Sequence, residues 1–209
     1  RSSDLATEAA LQNGFRTHDV FTAVEAVRAR IDVPVLVMTY WNPVVQYGVD
    51  RFADDLLNAG GAGLITPDIT PDSAADWIAT SDRTGLDRVF LVAPVSTDER
   101  LAVVTAACRG FVYAASTMGV TGVRSTVGGG AAELFARTRA ATDLPVCVGL
   151  GVSTREQAAE VASYADGVIV GSALVRCLAE ARELSEGLDA LRSLTAELAA
   201  GVRQRHPNT

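Results

Sequence analysis

The sequence predicts an α/β domain in which parallel strands alternate with helices, and three observations lead there. Six short apolar, β-branched runs recur at 33–40, 62–68, 88–94, 110–117, 145–152 and 166–174. Their starts lie roughly 20 to 35 residues apart, the length of a strand, a helix and two loops. Runs such as Pro34-Val-Leu-Val-Met38 and Val168-Ile-Val170 are almost continuously apolar, as strands covered on both faces require. The gaps between them repeat apolar residues at helical spacing. A parallel sheet built this way closes into a (β/α)8 barrel, the TIM-barrel architecture, when eight units are present. About six of the eight are visible in one domain spanning 1–209.

Taken in order, the chain opens on a helix over 4–11, with Leu5, Ala9 and Leu11 as its stripe and Gly14 beyond, and a second helix follows over 20–30. Asp4 reads as a helix-start residue, because an acidic first turn complements the helix dipole. After the first strand run, residues 50–57 place Phe52, Ala53, Leu56 and Leu57 at helical spacing and stop at Gly60-Gly61. Helices are expected over 73–81, 97–107, 130–141 and 153–164. Thr97 precedes Asp98 and Glu99 as an N-cap, and Ser153-Thr-Arg-Glu156 reads as a capping box. A long final helix over 185–205 carries Leu188, Leu191, Leu194, Leu198 and Val202 on one face. With two strands fewer than a closed barrel needs, and Arg1-Ser-Ser in place of a starting Met, about 60 N-terminal residues are expected to be absent.

Composition excludes several classes of function. A formal charge of −7 with no basic cluster argues against nucleic acid. No apolar run reaches the roughly 18 residues of a membrane span, and no charged-then-apolar leader opens the chain, so a cytoplasmic protein is expected. Cys108, Cys147 and Cys177 lack the paired spacing of a zinc site and read as buried free thiols. His18 and His206 fall in a helix start and in the C-terminal tail, away from strand ends, so neither histidine catalysis nor a metal is expected.

Three stretches carry the chemistry: Tyr113-Ala-Ala-Ser-Thr-Met-Gly-Val-Thr-Gly122, Val148-Gly-Leu-Gly-Val-Ser153 and Val168-Ile-Val-Gly-Ser-Ala-Leu174. Each is a β-type run that breaks into small residues ahead of a helical pattern. Gly122, Gly151 and Gly171 with Ser172 therefore stand where backbone N–H groups are bared at a strand end, the means by which a βα barrel binds phosphate. Glycines placed only for tight turns are the alternative, and a plain core aromatic is the alternative for Tyr113. Asp68 lies at a strand end but in the turn-rich Asp68-Ile-Thr-Pro71, which suits shaping a loop or meeting a partner better than catalysis. Arg124 suits either a ligand phosphate or solvent, Trp41 either packing or a partner, and Gly128-Gly-Gly130 either a hinge or a helix entry.

Met38-Thr-Tyr-Trp-Asn-Pro43, Leu64-Ile-Thr-Pro-Asp68, Phe111-Val-Tyr-Ala-Ala-Ser116, Met118-Gly-Val-Thr-Gly122, Gly149-Leu-Gly-Val-Ser153 and Val170-Gly-Ser-Ala173 together closely resemble the tryptophan synthase alpha chain, in an actinobacterial form, along essentially the whole chain. The resemblance implies a lyase of tryptophan biosynthesis that cleaves indole-3-glycerol phosphate to indole and glyceraldehyde 3-phosphate. It implies assembly with a beta chain as α2β2, with pyridoxal phosphate on that partner and no cofactor on this chain. Related barrels, such as indole-glycerol-phosphate synthase and phosphoribosylanthranilate isomerase, share phosphate loops but are not expected to carry this motif set. By resemblance Gly122, Gly151, Gly171 and Ser172 hold phosphate. Tyr113 lines the indole pocket with Met38, Leu150 and Ile169 as apolar wall, and Thr121 belongs to the loop that closes over the site. Asn42, Pro43 and Asp68 lie on rim loops facing the beta chain.

The family's acid–base glutamate and aspartate belong to the segment before Ala6-Thr7-Glu8-Ala9-Ala10-Leu11, so no catalytic residue is assigned within 1–209. Two functions follow as expectations: the lyase, or a catalytically inactive fragment that binds phosphate and docks a beta chain.

Overall fold

The computed structural model describes residues 2–116, 129–149 and 151–204. Six strands form one parallel sheet in sequential order: β1 (Leu36–Met38), β2 (Gly63–Thr66), β3 (Asp87–Val92), β4 (Val112–Ala115), β5 (Val146–Gly149) and β6 (Gly167–Ile169). Helices α1 (Ser2–Gln12) and α2 (Thr17–Arg28) precede the sheet. Helices α3 (Trp41–Tyr47), α4 (Val49–Asn58), α5 (Ala75–Thr84), α6 (Asp98–Ala107), α7 (Gly129–Ala140), α8 (Arg155–Ala162), α9 (Ser172–Ala179) and α10 (Leu184–Val202) follow the strands. The sheet curls as in a (β/α)8 barrel of which six units are present, and among the described residues β1 and β6 each pair on one side only.

The period of two along each strand sorts its residues between two environments. Val37, Leu64, Phe90, Val92, Val112, Ala114, Val146 and Val148 form one cluster with helix residues Phe52, Leu56, Trp77, Leu101, Leu134, Ala158 and Val161. These residues are the core between sheet and helices. Removing a side chain as large and as fully buried as Trp77 costs about 3–5 kcal/mol. The alternate residues look into the concave side of the sheet, where the chemistry of such a fold sits.

Three expected features differ in detail. The helices after β1 and β6 lie where the sequence reading has loop and strand. Asn42 and Pro43 occupy the first turn of α3, a position where proline loses no helical hydrogen bond. The sixth strand stops at Ile169, because Gly171 caps α9. The capping box lies one residue later than expected: Thr154 Oγ1 accepts from Gln157 N at 3.3 Å, and the Gln157 side chain accepts from Thr154 N. Thr97 caps α6 as expected.

At the N-terminal end of the strands, Arg88 donates to Ala107 O at 2.6 Å, Ser81 Oγ at 3.1 Å and Asp82 Oδ1 at 2.6 Å. Arg109 donates to Ser81 O and Leu86 O. These bonds tie β3 and the segment entering β4 to α5 and α6, and in a fold of this kind the chemistry belongs to the opposite rim.

The cysteines are all free, but Cys108 alone is buried, while Cys147 and Cys177 are partly exposed. Cys147 falls on the concave face by the strand alternation, away from the helix-side core. Burial pushes the Cys108 thiol from 9.0 up to about 11. The folded state therefore favours the neutral thiol, a contribution fully present below pH 9 and lost as pH rises towards 11. Denaturant unfolding of wild type and Cys108→Ala should differ by about 2–3 kcal/mol more at pH 8 than at pH 11. A constant difference across that range would contradict this burial.

Candidate functional site

Strand register aligns the expected site residues on one face. Met38 pairs with Ile65, and Ile65 with Val89, on adjacent strands. One step along β3, Leu91 pairs with Tyr113, which pairs with Cys147; one step along β5, Gly149 pairs with Ile169. Met38, Tyr113 and Ile169 thus share the concave face, and Ile65, Leu91, Ala115, Cys147 and Gly149 share it with them. The sequence reading did not assign the latter group, although strand alternation counted from Met38 and Tyr113 points to them. Met38, on the edge strand β1, is exposed, while Tyr113 and Ile169 are half-buried.

Tyr113 leans across β5. A Cβ built on Gly149 would lie 2.5 Å from both Cε2 and Oη of Tyr113, so only glycine leaves room for the ring there. Burial raises the Tyr113 hydroxyl above its ordinary value, which keeps it neutral at physiological pH.

Gly151 and Gly171 each lie two residues beyond the paired Gly149 and Ile169, so both open on the same rim. Gly151 has φ +67°, a left-handed conformation that favours glycine. No described atom lies within 4 Å of a Cβ placed on Gly151 or Gly171. Gly171 is the N-cap of α9 and provides no side-chain acceptor. The amides of Ser172 and Ala173 therefore start the helix without a side-chain cap, at the positive end of the helix dipole, while Leu174 N donates to Gly171 O at 3.0 Å. An anion fits this arrangement. Thr121, Gly122, Arg124, Leu150 and His206 lie outside the described residues.

At the rim near β1 and β2, the Asp68 carboxylate accepts from Trp41 N with both oxygens, at 2.9 and 3.1 Å. It closes the first turn of α3, where Asn42 is exposed and Pro43 partly so. Among the described residues no group of three or more His, Cys, Asp or Glu could hold a metal, and no helix is long and apolar enough to cross a membrane.

A family model for the tryptophan synthase alpha chain matches residues 3–203. The chain belongs to the tryptophan synthase alpha chain family. It is 63% identical over 201 residues to the alpha chain of Mycobacterium marinum, covering 96% of this chain and 72% of that one. It is 60% identical over 197 residues to that of Leifsonia xyli, covering 94% and 74%. Tryptophan synthase from M. tuberculosis, in an open form with BRD0059 bound, superposes with a TM-score of 0.87 at 56% identity, over 97% of this chain and 75% of that one. A mutant alpha subunit from Pyrococcus furiosus superposes at 0.85 with 32% identity, over 95% and 80%. The chain thus spans about three quarters of the length of these relatives. Membership places it among the lyases of tryptophan biosynthesis, in a family that pairs with a beta chain. No observation favours the inactive docking fragment over the lyase.

Proposed function

We propose that the concave rim binds indole-3-glycerol phosphate for aldol-type cleavage to indole and glyceraldehyde 3-phosphate. The observation that carries this reading is the uncapped start of α9 at Gly171, beside Gly151 on the neighbouring strand end. The phosphate sits on the amides of Gly151, Gly171 and Ser172, with Gly122 and Thr121 contributing as the resemblance implies. The indole ring lies against Met38, Tyr113 and Ile169, with Leu150. Cleavage requires a proton delivered to indole C3 and a proton removed from the adjacent glycerol hydroxyl. The C–C bond then breaks, its electrons return to the ring, and an aldehyde leaves.

The family's glutamate and aspartate perform those transfers, and no residue of 1–209 is assigned to them. This chain needs no cofactor, because pyridoxal phosphate belongs to the beta chain, which docks on the rim that presents Asn42, Pro43 and Asp68. The assembly is α2β2 in the cytoplasm.

Separate titrations with indole and with glycerol 3-phosphate test the assignment. Tyr113→Ala should weaken indole binding by roughly tenfold, the effect of about 1.4 kcal/mol of lost ring contact, and leave glycerol phosphate affinity unchanged. Unchanged indole affinity, or equal loss of both ligands, would contradict a divided site.

A further inference from the structure

The rim loop between β3 and α6 is held by a residue from a different βα unit. Arg137, in the last turns of α7, donates from Nε to Asp98 Oδ1 at 2.8 Å, from Nη2 to Ser96 O at 2.5 Å and from Nη1 to Pro94 O at 3.4 Å. The loop adds its own turn: Ser96 N donates to Ala93 O at 2.9 Å, and Ala93 N to Ser96 Oγ at 3.1 Å. At the tip of this fixed turn Val95 is 91% exposed, the most exposed of the large apolar side chains among the described residues. A guanidinium bound to two carbonyls and a carboxylate fixes a loop far better than one surface ion pair does. An immobile loop that presents a bare β-branched side chain has the properties of a docking contact, since its ordering cost is already met before a partner arrives.

We propose that Arg137 is a positioning residue that sets the Pro94-Val95-Ser96 turn as an apolar anchor for the beta chain. The proposal rests on the docking reading above and extends it to residues beyond Asn42, Pro43 and Asp68. The choice of partner follows from continuity. Arg100, in the first turn of α6, is ion-paired with Asp72 at 2.7 Å, and the loop carrying Asp72 begins at Asp68, which holds Trp41 N. The rim from α3 to the Val95 turn is therefore one tied surface, so a partner seated over Asn42 and Pro43 continues onto Val95.

The test measures the affinity of a purified beta chain for the full 209-residue chain, with thermal unfolding and glycerol 3-phosphate affinity recorded on the same samples. Val95→Asp should weaken the beta chain roughly tenfold or more, placing a charge in the apolar contact while touching nothing that holds the loop. Arg137→Ala should weaken it several-fold, with partial recovery in Arg137→Lys, which keeps the charge but cannot reach all three acceptors. Phosphate affinity should stay constant in all three variants.

Wild-type affinity in Val95→Asp overturns the anchor, even if Arg137→Ala fails to fold. Loss in Val95→Asp with none in a folded Arg137→Ala overturns the positioning role. If the unaltered chain does not bind the beta chain at all while still binding glycerol 3-phosphate, the docking reading fails and this proposal with it.

Discussion

Mixed with a tryptophan synthase beta chain and indole-3-glycerol phosphate, a polypeptide of residues 1–209 is expected to release indole at least about 10⁴-fold more slowly than one that also carries the family's glutamate and aspartate. The reason is the carboxylate inventory of the concave face. Asp68 is committed with both oxygens to the Trp41 amide and serves the fold of the rim. Asp87 lies at the opposite, N-terminal end of β3, beside Arg109 at 3.8 Å. Neither is placed to protonate an indole ring bound against Met38, Tyr113 and Ile169. Each positioned acid or base contributes about 10²–10⁴ in rate, and a pair that acts as one unit is not summed, which sets the floor of the expected loss. Indole release is read by absorbance or by coupling to tryptophan formation. Near-normal release would mean that Asp68 or another carboxylate within 1–209 does the proton transfer, and would overturn the site as drawn.

The second large effect is expected at the phosphate site. Gly171→Asp should weaken glycerol 3-phosphate binding by roughly 100-fold or more, because a carboxylate about 4 Å from the anion costs on the order of 4 kcal/mol at an effective dielectric near 20. The position separates binding from folding. No atom of the described residues lies within 4 Å of a Cβ there, so the new side chain meets no packed neighbour among them. Calorimetric titration of wild type and variant, with thermal unfolding alongside, checks it. Retained affinity in the folded variant would remove α9 from the site. Gly151 is a less clean probe, because its φ of +67° makes any larger residue strained before a ligand is considered.

The residues themselves show why part of this was legible in the sequence. Buried parallel strands must be apolar on both faces, so Val37, Leu64, Val146 and Val148 announced their strands. The same continuity hid their ends: Val170 and Leu174 continue the apolar run past Ile169, and only the uncapped glycine at 171 marks the start of α9. Helix α3 was hidden by Asn42-Pro43, which reads as a loop although proline in a first helical turn costs no hydrogen bond. The capping box was displaced because Ser153 and Thr154 are both competent caps, and the choice falls on the one with Gln157 three residues on.

The phosphate glycines were visible as composition. Their alignment beyond Gly149 and Ile169 is a matter of register, which no single run displays. The need for glycine at 149 depends on where the Tyr113 ring goes, a contact between strands. The hold of Arg137 on the β3–α6 loop spans about 40 residues, and nothing local to either end signals it.

The most direct measurement of the central claim is a titration of the isotopically labelled chain with glycerol 3-phosphate, followed residue by residue at the backbone amides. The amides of Gly151, Gly171 and Ser172 are expected to move together along a single saturation curve, while those at the N-terminal end of the sheet, such as Arg88 and Arg109, stay fixed. Unmoved amides at 151, 171 and 172, with saturable shifts elsewhere or none, would contradict a phosphate site on this rim.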